Sequence, residues 1–399
     1  MQADFYELSF VPAKNYVHVV KLSFPDNHAF LIGNSDMTLA VDYNLQQAQK
    51  PEGKALSRFP RFSIAPMMDW TDRHCRFFHR QLTKHALLYT EMVVADAVIH
   101  GNRERLLGFE KAEHPVAVQI GGSEPEKMAE AARICADFGY VEINMNVGCP
   151  SDRVQSGTFG ACLMREPDLV ARCVEAMKQA VDIPVTVKCR IGVDEQDTKT
   201  ALDALAQKSW AAGSDALWVH ARKAWLEGLS PKENRDVPPL DYGRVHQLKK
   251  ENPNRFIGLN GGLENVIHGL EAAKGEDVVL DGIMLGRAAY QNPLCLTKVD
   301  PLVYGDDSNG FDAAHLIDVM CDYIDRQIAG DSGIRVNHIT RHMVGLFPGV
   351  AGARRFRQIL SNESVKPDAS SRVLRDAFDI VRDGLGKDTT NALDPSQAA

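Results

Sequence analysis

Hydrophobic and polar positions fall into a repeating rhythm from residue 62 onward. Short apolar runs at 62–67, 87–92, 116–121, 141–146, 185–191, 216–221, 256–260 and 282–286 are each followed by a polar turn and a stretch with helical spacing. Those helical stretches are 72–82, 95–107, 125–138, 167–181, 198–212, 242–251, 263–273 and 288–295. Several begin with acids and proline, as in Ser123-Glu124-Pro125-Glu126 and Glu166-Pro167-Asp168, which is how helices start. Eight strand-helix units over roughly 235 residues predict an α/β fold, a (β/α)8 TIM barrel, whose usual size is about 250 residues. An open doubly wound sheet is the competing arrangement. Helical spacing resumes at 313–328, 335–346, 353–360 and 371–385, predicting a small all-helical C-terminal domain.

These patterns divide the chain into an N-terminal extension (1–60), a barrel (61–298), a turn-rich linker (299–312), a helical domain (313–386) and a flexible tail (387–399). The extension alternates in places and ends in a polar run, as a short, peripheral β-rich segment would. It lacks the basic start and apolar core of a signal peptide, and it carries acids that a transit peptide avoids.

A barrel makes a demand that the sequence can be held to, because its active site sits at the carboxyl ends of the strands. Those ends read Ala65-Pro66-Met67, Glu91, Gln119, Asn144 with Asn146 and Cys149, Lys188 with Arg190, His220 with Arg222, Asn260-Gly261-Gly262, and Gly286-Arg287. One such residue would be unremarked, since a lone lysine or histidine at a strand end is more often structural. Eight in register are harder to dismiss. The densest stretch is 141–164, where an alternating run breaks at Gly148-Cys149-Pro150 and places a cysteine just past a strand end. Asn144 and Asn146 alternate with apolar residues and so share one face.

Composition narrows the chemistry without deciding it. With 44% apolar and 25% charged residues the chain is ordinary for a globular protein with a sizeable core. A net charge of −8 argues against a protein that coats nucleic acid indiscriminately, yet leaves room for a local basic patch. No apolar run approaches the roughly 18 residues of a membrane span. The eight cysteines show no CxxC or CxxxC pairing, so neither zinc nor disulfides are expected. A monomer in a reducing cytoplasm is the expectation.

Asn260-Gly261-Gly262 after strand seven and Gly286-Arg287 after strand eight occupy the two places where barrels commonly bind phosphate. Glycine lets backbone amides close on phosphate oxygens, a helix N-terminus adds positive charge, and Arg287 can form charge-assisted bonds. The plainer alternative is two turns that merely need glycine. Lys188, set across the barrel mouth with Gln119, offers a cation and an amide to an electron-rich ring. That pattern suits flavin mononucleotide (FMN) better than a dinucleotide, and no GxGxxG fingerprint follows an early strand. Cys149 has three readings: an inert buried thiol, a nucleophile that would need a histidine base, or a general acid. Its loop position disfavours the first and the flavin-like surroundings favour the third.

At this point a resemblance emerges. The runs APMMDWTDRHCR (65–76), LLYTEMV (87–93), HPVAVQIGGSEP (114–125), EINMNVGCPSDRVQSGTFGACLM (142–164), PVTVKCRIGVDEQD (184–197), HARKAWLEGLSPKENRDVPPLDY (220–242), NGG (260–262) and GIMLGRAAYQNP (282–293) resemble the tRNA-dihydrouridine synthases. The similarity spans about 62–385 and is closest to the bacterial A-type subfamily, which acts on uridines 20 and 20a of the tRNA D-loop. It implies an FMN barrel with a small helical domain, in which NADPH reduces the flavin and the reduced flavin reduces a uracil ring. By the same resemblance, Cys149 would protonate carbon 5. Pro66, Met67, Gln119, Lys188, His220, Asn260, Gly261, Gly262, Gly286 and Arg287 would hold the flavin, and Asn146 would lie beside the substrate base. Met68 stands where leucine would be expected.

A tRNA partner needs a surface. Arg222, Lys223, Lys232 and Arg235 are interleaved with Trp225 after strand six, and Arg335, His338, Arg341, His342, Arg354, Arg355 and Arg357 cluster in the C-terminal helices. Solvated helix faces would look the same in sequence. Beside a site that takes structured RNA, the two groups read as walls of a groove, with Arg354 and Arg357 on phosphates and Lys232 and Arg235 orienting the tRNA. Two other functions remain open: a flavin reductase of a free pyrimidine, and a non-catalytic RNA-binding barrel.

Overall fold

The computed structural model describes residues 60–151, 159–307, 310–330 and 333–385, together with the backbone of residues 9–10 and 20–21. Eight parallel strands close into a barrel, which excludes the open sheet. They are β1 Phe62–Ile64, β2 Leu87–Val94, β3 Val116–Gly121, β4 Glu142–Val147, β5 Val185–Arg190, β6 Ala216–His220, β7 Phe256–Asn260 and β8 Gly282–Leu285. Closure comes from β8 pairing with β1, with Ile283 opposite Phe62 and Leu285 opposite Ile64. At 9–10 and 20–21 two short strands, Ser9–Phe10 and Val20–Lys21, pair antiparallel. The rest of the expected extension, residues 152–158 and the expected tail lie outside the described residues.

Alternation sorts the strands between two cores, with a register shift in β2 between Tyr89 and Met92. Val185, Val187 and Cys189 on β5 belong to the large layer beneath the helices. A smaller cluster inside the barrel is made of Ala65, Leu87, Tyr89, Ala117, Ala216, Trp218, Phe256 and Met284. The Trp218 indole fills this interior because β7 carries glycine opposite it; a Cβ on Gly258 would lie 2.2 Å from the ring. On the same inward face, β3 to β5 carry Gln119, Glu142, Asn144 and Thr186, all buried, where bulky branched residues usually fill a barrel.

The barrel helices are α1 Arg73–Arg80, α2 Ala95–His100, α3 Arg103–Leu107, α4 Pro125–Asp137, α5 Pro167–Ala180, α6 Thr198–Ala211, α7 Tyr242–Glu251, α8 Val266–Ala272 and α9 Arg287–Gln291. Asp72, Asn102, Asp197, Asp241 and Asn265 cap α1, α3, α6, α7 and α8 with side-chain acceptors, while Pro125 and Pro167 open α4 and α5. The stretch 95–107, expected as one helix, is two, because Gly101 turns its amide back to Ala97 and Asn102 starts a new cap. The helix expected at 288–295 is the single turn α9, interrupted by Asn292 and continued as a 3-10 turn, Pro293–Lys298.

After the barrel, Asp300–Tyr304 forms a π-helical turn within the stretch read as a linker. It is fastened down: the Asp300 carboxylate accepts from Thr83 Oγ1 (2.6 Å) and the backbone N–H of Lys84 (2.7 Å) and His85 (3.2 Å). Four helices follow, α10 Ala313–Gly330, α11 Val336–Thr340, α12 Ala353–Asn362 and α13 Arg372–Arg382. Tyr323 of α10 stacks on Phe77 of α1, ring centroids 3.9 Å apart, and its hydroxyl bonds His74 Nδ1 at 2.8 Å. Among the described residues no helix is long and apolar enough to cross a membrane.

Candidate active site

On β4, residues i, i+2 and i+4 point into the barrel, which puts Glu142, Asn144 and Asn146 in one column. Asn146 Oδ1 accepts from the backbone N–H of Gly148 (3.0 Å) and Cys149 (2.9 Å), fixing the turn that carries the cysteine. Its Nδ2 donates to Gln119 Oε1 (2.7 Å), and Gln119 Nε2 donates to Asn144 Oδ1 (2.8 Å). Asn144 Nδ2 donates to Thr186 Oγ1 (2.8 Å), whose hydroxyl donates to Glu142 Oε1 (2.6 Å). Tyr89 donates to the same carboxylate oxygen. Burial pushes the Glu142 carboxyl up to about 7.

Arg190 braces the cysteine turn from the other side. Its Nε donates to the Gly148 carbonyl (3.2 Å), and its Nη1 donates to the carbonyls of Lys223 (3.1 Å) and Asn234 (2.9 Å) in the loop after β6. Asn234, itself buried, closes that loop through Nδ2 to Trp225 O (2.8 Å) and Oδ1 from Trp225 N–H (2.7 Å). Cys149 is therefore held, half-exposed and as a free thiol, between two braced loops.

The β6 to β8 side of the mouth is built differently. Lys188, on β5 but in register with Trp218 of β6, has no hydrogen bond or ion pair among the described residues. Burial, then the charge of Arg190, brings its ammonium down to about 8. Burial and the surrounding Arg190, Lys188, Arg222 and Arg287 push the His220 imidazole well below its usual range, so the ring is neutral at pH 7. His220 Nε2, Arg222 Nε and Arg235 Nε are buried without a hydrogen-bond partner among the described residues. Native interiors seldom leave such groups alone, and an anion with a ring system would find donors for both parts here.

The glycine turns complete this rim. Gly261 (φ +107°) and Gly262 (φ +67°) adopt left-handed backbone, and a Cβ on Gly261 would lie 2.5 Å from the His220 ring. The Asn260 side chain donates to Met284 O at 2.7 Å, tying β7 to β8. Gly286 caps α9, and a Cβ there would make ordinary contacts with Ala65 Cβ at 3.9 Å and Met67 Sδ at 4.0 Å. Arg287 pairs with Asp236, Nη2 to Oδ1 at 2.6 Å and Nη1 to Oδ2 at 3.1 Å. Asp236 follows Arg235 in the β6 loop and is a partner the sequence reading missed.

The structure brings Met67, Lys188, His220, Gly261, Gly262, Gly286 and Arg287 to one rim, with Pro66 half-exposed beside Met67. Gln119 is buried on β3, two strands from Lys188 on β5, and both ends of its amide are engaged by β4. Arg235 lies near Cys149 and Arg287, while Lys232 is exposed. Arg354 and Arg357 lie exposed on α12, flanking the face that buries Ala353, Phe356 and Leu360, and neither has a partner among the described residues. Arg341 and His342, read as part of the basic face, are instead turned to the barrel. The chain tightens into a 3-10 turn at Arg341–Met343, so His342 is buried against Asp72 (3.0 Å) and Tyr290, and Arg341 reaches Asp72 at 2.6 Å. Glu142, Thr186 and Tyr89 also escaped the sequence reading, although the i, i+2, i+4 spacing of Glu142 with the two asparagines marks the first.

Residues 63–381 match the family described as dihydrouridine synthase (Dus). Three proteins named tRNA-dihydrouridine(20/20a) synthase are similar along nearly their whole length. That of Escherichia coli (strain K12) is 48% identical over 352 residues, 88% of this chain and 99% of that protein. That of Vibrio parahaemolyticus is 51% identical, covering 80% and 96%, and that of Shewanella oneidensis 52%, covering 81% and 95%. A solved 2-naphthoyl-CoA reductase complex aligns at a TM-score of only 0.44 with 11% identity, over 60% of this chain and 49% of that one. With a family match across most of the chain and about half the residues shared with whole relatives, this chain belongs to the dihydrouridine synthase family.

Proposed function

We propose that this chain reduces the carbon 5–carbon 6 double bond of uridine to dihydrouridine in the D-loop of tRNA, at positions 20 and 20a, with FMN as cofactor and NADPH as electron donor. The relatives' names supply the reaction and positions. The observation that carries the reading onto this chain is the placement of Cys149 between a fully bonded amide column and a rim of unpartnered cationic and imidazole donors.

The residues divide the work. Arg287, the glycine turns Gly261-Gly262 and Gly286, and Asn260 would hold the phosphate. Lys188, His220, Gln119, Pro66 and Met67 would line the ring. When bound, the flavin supplies hydride to carbon 6 of the uracil. Negative charge then develops toward carbon 5, and a proton must arrive there from a group within hydrogen-bond reach. Cys149 is that acid: the S–H bond breaks, the proton joins carbon 5, and the thiolate is left beside Arg190, whose charge stabilises it. Asn146, through the turn it braces, sets where that thiol stands.

The uracil must leave its stack to reach the mouth, at a cost of a few kcal/mol. Contacts elsewhere on the tRNA offset that cost, from Lys232 and Arg235 near the mouth and from Arg354 and Arg357 on α12. Such a substrate places the protein in the cytoplasm. The test is mass-spectrometric mapping of dihydrouridine in tRNA from cells lacking the gene, complemented with wild type or Cys149→Ala. Loss at positions 20 and 20a that only the wild type restores is expected; unchanged dihydrouridine in the deletion would falsify the assignment.

A further inference from the structure

The hydrogen bonds along β3 to β5 run in a single sense. The upper end is two backbone N–H groups, of Gly148 and Cys149, which can only donate, and Asn146 Oδ1 receives both at 3.0 and 2.9 Å. Asn146 must then turn its Nδ2 to Gln119, which must present Oε1, and the same logic passes from Gln119 to Asn144, from Asn144 to Thr186 and from the Thr186 hydroxyl to Glu142. The lower end is a carboxylate, which can only accept. Each amide and hydroxyl between could point either way in isolation; one sense alone satisfies both ends.

We propose that Glu142 is a positioning residue for Cys149: acting through Thr186, Asn144 and Gln119, it fixes the Asn146 carbonyl toward the Gly148 and Cys149 amides and so holds the thiol in place. In the reversed sense Asn146 would present its NH2 to two N–H groups and release the turn. A buried carboxylate is costly unless bonded, and here both bonds given to Oε1 come from hydroxyls, one of them at the foot of the chain. Burial raises the Glu142 carboxyl, so the group is kept against its own contribution to stability. That pattern marks residues retained for function. The proposal rests on reading Cys149 as the proton donor.

Thr186→Val is nearly isosteric and cuts the chain at one bond, Thr186→Ser keeps the hydroxyl, and Glu142→Gln replaces an acceptor-only group with one that can show either face. Two measurements are made at pH 8 on the flavin-loaded proteins. One is steady-state reduction of tRNA; the other, without RNA, is the rate at which iodoacetamide alkylates Cys149, followed by peptide mass mapping. Thr186→Val is expected to lower kcat about ten-fold with KM for tRNA and flavin content unchanged. It should also speed alkylation of Cys149 several-fold, with Thr186→Ser restoring both and Glu142→Gln moving both the same way by less. Wild-type kcat and alkylation in Thr186→Val, or no restoration by serine, overturns the proposal. Should the valine variant not fold, Glu142→Gln decides, and unchanged alkylation there overturns it. If the wild-type protein reduces no tRNA, the functional reading falls while the alkylation rates still judge the chain.

Discussion

The two sides of the barrel mouth are built on opposite principles. From β3 to β5 the inward polar groups Gln119, Asn144, Asn146, Thr186 and Glu142 bond one another in an unbroken series. From β6 to β8, with Lys188 at the border, donors are buried without partners and positive charge accumulates around a neutral histidine. A satisfied network is rigid and specifies geometry, whereas an unsatisfied one stores a debt that a ligand can discharge. In the proposed function the first side holds the Cys149 thiol still and the second receives the anionic part of the cofactor.

Substitutions can break that contrast, and the largest effect is expected at Lys188. Lys188→Met should lower turnover about a hundred-fold by removing the unpaired charge at the ring. The same change should stabilise the fold. The ammonium titrates near 8 in the folded chain against an ordinary 10.5, so the fold carries a penalty that is full below pH 8 and relieved as pH rises toward 10.5. Thermal unfolding at pH 7 should therefore give a higher Tm for the variant, with the gain vanishing above about pH 10.

Next comes Arg287→Ala. A charge-assisted bond to phosphate contributes roughly 2 kcal/mol, so the Kd for FMN, followed by flavin fluorescence, should rise some tens-fold. An unchanged Kd would remove Arg287 from the phosphate site.

A smaller effect sharpens the contrast from the satisfied side. The Glu142 carboxyl is raised from 4.5 to about 7 in the fold, so its stabilising protonation is present below pH 4.5 and lost as pH rises through 7. Glu142→Gln should raise Tm by a few degrees at pH 8 and leave it nearly unchanged at pH 4.5, read by circular dichroism. The smallest effect is at the acid paired with Arg287. Asp236→Asn frees Arg287 from a half-exposed pair and should tighten FMN binding only a few-fold, because solvent screens that pair. Weaker binding in this variant would mean that Asp236 orients Arg287 for its ligand.

The eight strands were legible because strands buried on both faces read as short apolar runs between polar turns, and two helix starts because Pro125 and Pro167 stand beside acids in the first turn. What stayed hidden depends on closure in three dimensions. Asp236 meets Arg287 across 51 residues and Thr186 meets Glu142 across 44, and no local pattern reports either. His342 was misread because one 3-10 turn after α11 rotates it inward, a change of helical period that composition does not signal. The strand-end positions of the candidate residues were readable; which of them were already engaged by one another was not.

Asp72 has a consequence for how the substrate is accommodated. One oxygen of this carboxylate caps α1 through the Cys75 N–H (2.9 Å), and the other receives Arg341 (2.6 Å) and His342 (3.1 Å) from the C-terminal helices. Burial alone would raise its pKa, but the bonds from His342, Cys75 and Arg341 hold it far below the usual carboxylate range. Beside it Trp70 stacks on Tyr290 at 4.4 Å. Swinging the helices away would leave the half-buried Asp72 carboxylate capping α1 but without Arg341 and His342, so this contact clamps the C-terminal helices to the start of α1. Under the proposed function, that clamp is what sets the reach from the barrel mouth to the arginines of α12 along which the tRNA is laid.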